Sequence, residues 1–144
     1  MNRPHKVVAY IVRDDRMVVL RHADLPWDEA GLQVPAGTIR SGELPEDAVL
    51  REAREETGLE GLRVVRFLGA GEYDMRPYAE AIHARHYFHL TTDSADLPER
   101  WEAFEESDGA GERIRFELYW IPLRKAHVIG GGQAAFLGRL AAEL

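Results

Sequence analysis

The stretch Gly37–Leu59, GTIRSGELPEDAVLREAREETGL, constrains this chain more than any other. It reads as a glycine-hinged loop followed by one helix of about four turns. Pro45 suits the first helical position, where its missing N–H would be unpaired anyway. Glu46 and Asp47 follow in the first turn, at the positive end of the helix dipole. Gly58 can take the left-handed conformation that closes a helix. At 3.6 residues per turn Val49, Leu50, Ala53 and Thr57 form a core-facing stripe. Glu52, Glu55 and Glu56 stand at i, i+3 and i+4, so they share a separate strip beside it.

Three carboxylates on one strip repel one another, and helix propensity does not require them. Keeping them ionised in a partly enclosed site is costly unless a cation sits among them. Oxygen ligands with open positions suit a hard divalent ion, Mg²⁺ or Mn²⁺, shared with the phosphates of a substrate. Taken alone, the strip reads first as a solvated acidic face paired with Arg51 and Arg54.

The spacing around the strip is more specific. Gly37, Glu43, Arg51-Glu52, Glu55-Glu56 and Gly58 stand at fixed intervals, and seven such positions would align by chance in about one chain in a million of this length. The stretch resembles the Nudix box, with Ala53 smaller than the aliphatic residue usual there. The resemblance implies a Nudix hydrolase, which splits a nucleoside diphosphate linked to a further group X. On matched positions it implies metal binding by Glu52, Glu55 and Glu56, with the Gly37 carbonyl as a further ligand. It implies that Glu52, or one acid from a later loop, activates the attacking water. Glu102, Glu105, Glu106 and Glu112 are the candidates for that acid. Arg51 and Glu43 would orient the metal ligands as a pair, and Glu52, Glu56 and Arg51 would carry the catalysis. The VPAG run before the box resembles that of some ADP-ribose-cleaving relatives.

The 144 residues suffice for one compact domain spanning 1–144 and are too few for two ordinary ones. With no Cys, the chain can form neither a disulfide framework nor a thiolate metal site. No apolar run approaches the length of a membrane span and the N-terminus lacks a signal peptide's apolar segment, so a cytoplasmic location is expected. A net charge of −7 argues against binding long nucleic acid, leaving small phosphorylated nucleotides as the expected partner. A homodimer is compatible with all of this.

Along the chain, Lys6–Val12 and Met17–His22 read as a hairpin turning at Asp14-Asp15. Trp27 lies in a turn-rich loop, as a buried anchor or a surface for a base. Leu62–Gly69 reads as a strand and 70–80 as a loop, where Tyr73, Arg76 and Tyr78 could hold a base or phosphate. Ala81–Leu90 is the next strand. Its His83, His86 and His89 cannot converge on a metal, because His86 faces away from the other two. The acidic stretch Thr91–Glu112 reads as a loop with a helical turn at Trp101–Glu106, and Arg113–Leu123 as a half-buried strand. Three glycines at 130–132 then hinge into a terminal helix over Gln133–Leu144, with Ala134, Leu137, Ala141 and Leu144 on its apolar face.

About six strands and two separated helices predict an α/β (α+β) architecture, with helices on both faces of a mixed sheet. That agrees with the αβα sandwich the resemblance implies. The reading that follows is a Mg²⁺- or Mn²⁺-dependent hydrolase of a (d)NTP, a dinucleoside polyphosphate or an ADP-sugar. Its alternative is a Nudix module that senses a nucleotide without cleaving it.

Overall fold

A computed structural model describes residues 2–26, 31–106 and 113–144, the Glu106 side chain excepted. Trp27 and Glu112 lie outside the described residues. The strands are β1 His5–Arg13, β2 Arg16–His22, β3 Ala36–Thr38, β4 Leu62–Asp74, β5 Ile82–Thr92, β6 Arg100–Glu106 and β7 Arg113–Pro122. Helix α1 is Pro45–Thr57, and α2 is Leu137–Ala142, preceded by a 3-10 helix over Leu123–Val128.

The strands lie in the order β4-β5-β1-β2-β7-β6, with β3 added against β1. β1 runs parallel to β5, and every other pairing between these strands is antiparallel. The sheet is therefore mixed, as expected. Asp14 and Asp15 both take positive φ, 53° and 60°, the twist a two-residue hairpin needs. Past this turn β1 and β2 diverge, sharing only the pairs Val12–Met17 and Arg13–Arg16. The segment before the box fills the gap: Leu20 and Gln33 exchange backbone hydrogen bonds, and Ala9 N–H donates to the Pro35 carbonyl at 2.8 Å. This wedge brings Gly37 to the mouth of a split in the sheet.

Alternation along β1 sends Val7, Ala9 and Ile11 to one core and Val8, Tyr10 and Val12 to the other. The first core lies under α1, which buries Ala48, Val49, Ala53 and Thr57, with Leu50 packed at its margin. The second is covered by the 3-10 helix and α2, through Ala126 and Leu140. Both faces of the sheet thus carry helix, giving the αβα sandwich.

Helix α1 follows its sequence signals. Pro45 opens it, and Gly58 (φ 70°) closes it by donating to the Arg54 carbonyl at 2.8 Å. Thr57 Oγ1 donates to the Ala53 carbonyl at 2.6 Å and accepts from Leu59 N–H at 3.1 Å, fastening the last turn.

Three boundaries differ from expectation. Trp101–Glu106 is no helical turn but most of β6, paired along its length with β7. Trp101 and Ala103 pack on the first core, and Trp101 Nε1–H donates to the Thr57 carbonyl at 2.8 Å. β4 continues past Gly69 to Asp74, so Tyr73 sits on a strand rather than in a loop. At Gly69 (φ 145°) the register with β5 shifts, and Phe136 occupies the space of a Cβ. The terminal helix spans Leu137–Ala142 only, because residues 133–136 form turns. Leu140 is its buried residue, while Ala141 and Leu144 are exposed.

Candidate active site

Beside the Glu-bearing strip of α1 lies an open recess of about 760 Å³. Gly37, Arg51, Glu52, Glu55, Glu56 and Glu105 are among its lining residues. The helix supplies four of these six, the wedge supplies Gly37, and β6 supplies Glu105.

Arg51 organises one half of the strip. Its Nε–H donates to Glu43 Oε2 at 2.8 Å and one terminal nitrogen to Glu43 Oε1 at 2.9 Å, a two-pronged contact. That nitrogen also reaches the Thr38 carbonyl at 2.9 Å, and the other donates to Glu52 Oε1 at 2.8 Å and Glu55 Oε2 at 3.4 Å. These contacts match the five donors of a guanidinium. Arg51, with help from Arg40 N–H, holds the Glu43 carboxyl down to about 2. The same pairs hold Arg51 protonated above its ordinary range. Arg51 thus ties the β3 loop to the helix and holds Glu52.

Glu56 is in a different situation. Its Oε1 accepts a long hydrogen bond from Ala36 N–H, 3.3 Å. Burial, then the charges of Glu105 and Glu52, push its carboxyl well above the carboxylate range. Of the four acids considered from the late loop, Glu105 reaches the recess. Glu102 instead accepts from Arg115 at 2.8 Å. The strand periodicity of β6 explains this: Glu105 shares the face of Trp101 and Ala103, which packs on α1.

Gly37 is required by space. A Cβ there would overlap the Glu52 carboxyl. That obstacle is the far end of a side chain that Arg51 holds, so Gly37→Ala should lose that contact and lower the thermal midpoint only modestly. It should nevertheless displace Glu52 and lower any turnover by about 10²-fold, the scale of a misplacement near 1 Å. Steady-state rates beside a melting curve check both halves.

As they stand, no three acidic or histidine side chains among the described residues converge closely enough to hold a metal. Glu52 and Glu55 face Arg51, while Glu56 is bonded to the wedge. The donor set still fits a hard divalent cation. Its donors are all oxygens, and Glu56 is a half-buried carboxyl crowded by acids, a state that a positive charge would relieve.

A second recess, of about 530 Å³, adjoins the first. Lys6, Gln33, Ala36 and Gly37 line both. Its far wall is the glycine turn, held by the Tyr10 hydroxyl on the Gln133 carbonyl and the Tyr87 hydroxyl on Gly132 O at 3.0 Å. Val34 N–H donates to Gln133 Oε1 at 2.8 Å, tying the turn to the wedge. Tyr73 and Tyr78 line this recess, but Arg76 does not; its guanidinium is bound to Asp74, Nε to Oδ1 at 3.0 Å. The cation beside Tyr73 is Arg85, 4.2 Å from the ring centre.

His86 faces the first core's side, against His5 and Phe67, away from His83 and His89, as strand parity predicts. His89 is buried on Glu143, while His83 lines the second recess. Sequence reasoning did not single out Lys6, Arg85 or Gln133, nor Phe104, which lines the acidic recess beneath the Arg113 guanidinium. A charged residue at a core-facing strand position, as at Arg85, was the available signal.

Residues 3–137 match the NUDIX domain, and the chain belongs to that family. The RNA pyrophosphohydrolase of Gluconobacter oxydans (strain 621H) is 40% identical over 63 residues, 44% of this chain and 36% of that protein. The match thus spans about a third of the length of that curated relative. Two solved structures share the fold. A NUDIX hydrolase from Nitrosomonas europaea superposes with a TM-score of 0.71 at 18% identity, over 99% of this chain and 90% of that one. The MutT protein from Methanosarcina mazei Go1 does so at 0.69 and 20%, over 99% and 95%.

Proposed function

We propose that this chain hydrolyses a pyrophosphate linkage in a small nucleoside diphosphate-X compound, with Mg²⁺ or Mn²⁺ as cofactor. The observation that carries this reading is Glu56, a half-buried carboxyl that lines one recess with Glu105 and Glu52 beside the Arg51-anchored strip. Residues Glu52, Glu55 and Glu56, with the Gly37 carbonyl, would hold the cation. When bound, such an ion offsets charge on the phosphates and makes a water more acidic.

The remaining work falls to the chain's own groups. Arg51 fixes the Glu52 carboxylate and so holds the strip in register with the β3 loop. Either Glu52 or Glu105 would take a proton from water as its oxygen attacks phosphorus. The bridging P–O bond then breaks, and the bridging oxygen leaves on the second product as a phosphate oxygen. Lys6, which donates to Thr38 Oγ1 at 2.5 Å, stands where the two recesses meet and can follow the phosphate chain from one to the other.

The test is a product-resolved screen of nucleoside triphosphates, dinucleoside polyphosphates, ADP-sugars and a 5′-triphosphorylated RNA, with Mg²⁺ and with excess chelator. The RNA belongs in the screen because of the Gluconobacter relative, although the net charge of −7 favours the small substrates. Turnover of at least one compound, abolished by chelation and restored by Mg²⁺, is expected. Binding with no turnover would instead mark a nucleotide-sensing module.

The base is assigned to the second recess, on Tyr73 and Tyr78, with Trp27 retained from the sequence as a further platform and Arg85 supplying the cation that Arg76 was expected to supply. Losing one stacking platform weakens affinity roughly 5- to 150-fold. The loss should fall on KM, because a remote contact is as strong in the ground state as in the transition state. Kinetics of Tyr73→Ala, Tyr78→Ala and Trp27→Ala on the best substrate measure this. If only Phe104→Ala raises KM, the base lies over the acidic recess instead.

A further inference from the structure

Arg85 is buried, 6% exposed, inside the second recess. Its guanidinium donates to the Gly131 carbonyl and to Met75 Sδ at 3.9 Å, and it lies over the Tyr73 ring. No carboxylate is paired with it among the described residues. Elsewhere in the described fold the partly buried arginine of the box, Arg51, has three carboxylates. Buried charge is ordinarily paired, because an uncompensated ion in a low-dielectric site is costly.

The surroundings add further basic groups to this recess. Lys6 is the direct neighbour of Arg85 across the parallel β1–β5 register, and the pair places both on one face of the sheet. His83, two residues along β5, lines the same recess, and its Nδ1 is buried without a hydrogen-bond partner. Burial and the positive charges of Lys6 and Arg85 hold its imidazole below the ordinary range. None of the described residues lining this recess is Asp or Glu. A basic recess therefore adjoins an acidic one, with Gly37 on the boundary.

We infer that Lys6, His83 and Arg85 form an anion subsite, which takes a phosphate or carboxylate carried by the substrate beyond the scissile pyrophosphate. This rests on the proposed hydrolase reading for what it calls substrate, but the subsite itself does not need turnover. An anion there would supply the counter-charge that Arg85 lacks and would accept from the guanidinium in the geometry that suits phosphate. The bland alternative gives Arg85 a structural role only, clamping the glycine turn through Gly131.

Metal-free protein separates the two recesses, because without a cation the acidic one repels phosphate. Inorganic phosphate is titrated by calorimetry in excess chelator against wild type, Arg85→Met and Lys6→Gln. Saturable binding by wild type is expected, weakened roughly 10- to 100-fold in each variant, the scale of a lost hydrogen bond to a charged group. No phosphate binding by wild type, or equal binding by the variants, overturns the subsite. Should Arg85→Met fail to fold, Lys6→Gln decides, since Lys6 is only half-buried. Phosphate binding without hydrolysis of any compound in the screen would remove the hydrolase reading and leave the subsite standing. A second arm compares KM for two substrates with the same scissile linkage, one bearing an additional distal phosphate. A lower KM for that substrate, with the advantage lost in Lys6→Gln, is expected. Equal values would mean that the cluster holds the pyrophosphate chain itself and would overturn the distal placement.

Discussion

Glu56→Gln should lower turnover by about 10²–10³-fold, the effect of losing a group that organises charge in the transition state. The substitution keeps shape and removes charge. It thus removes a half-buried carboxylate charge that desolvation, then Glu105 and Glu52, disfavour. The metal-free variant should therefore be at least as stable as wild type, and its melting midpoint should stay level or rise. Activity and stability then move in opposite directions, which a merely structural glutamate would not produce. Ala36 N–H keeps an acceptor in the amide oxygen of the variant, so the wedge contact survives. Rates across a Mg²⁺ titration, together with melting curves in chelator, test both parts. Near-normal rates at every metal concentration in folded protein would remove Glu56 from the catalytic set.

The parts legible in the sequence are those whose causes are local. Helix α1 announces itself through Pro45, its 3.6-residue stripe and Gly58, and the structure reproduces each of these. The Asp14-Asp15 turn is likewise set by its own two residues. RWEAFEE is rich in helix formers, and only its pairing with β7 and the docking of Trp101 on Thr57 make it the strand β6. Tertiary context overrode propensity there, and with it came Glu105, whose approach to Glu56 depends on that strand parity. The sequence places the end of β4 at Gly69. In the fold it is where the β4 ladder changes register to admit Phe136, more than sixty residues away in sequence.

The site divides in the same way. The Glu43–Arg51–Glu52 contacts lie within one helix and its preceding loop, so spacing alone could suggest them. The second recess is assembled from β1, β4, β5, the wedge and the glycine turn. No periodicity within a single segment could bring Lys6 beside Arg85. The histidine pattern shows the limit from the other side. Parity correctly separated His86 from His83 and His89, yet it could not show that His83 borders a recess.

Val49→Asp should unfold the domain rather than disarm it. Val49 is fully buried in the first core and is not among the residues that line the recess. An unpaired carboxylate there must either stay ionised in an apolar surrounding or take up a proton at a cost. Either route costs several kcal/mol, about 4 or more. That is comparable to the whole stability of a typical domain, about 5–15 kcal/mol. Val49→Ala separates charge from volume: it removes two methyl groups and should cost about 2–3 kcal/mol. Urea unfolding followed by circular dichroism measures both. The expected order of midpoints is wild type, Val49→Ala, then Val49→Asp, the last with little folded protein even in water. Specific activity per folded molecule of Val49→Ala should remain close to wild type, because Val49 does not itself line the recess. A wild-type midpoint for Val49→Asp would mean that α1 does not bury this stripe, and the placement of the carboxylates beside Gly37 would fall with it.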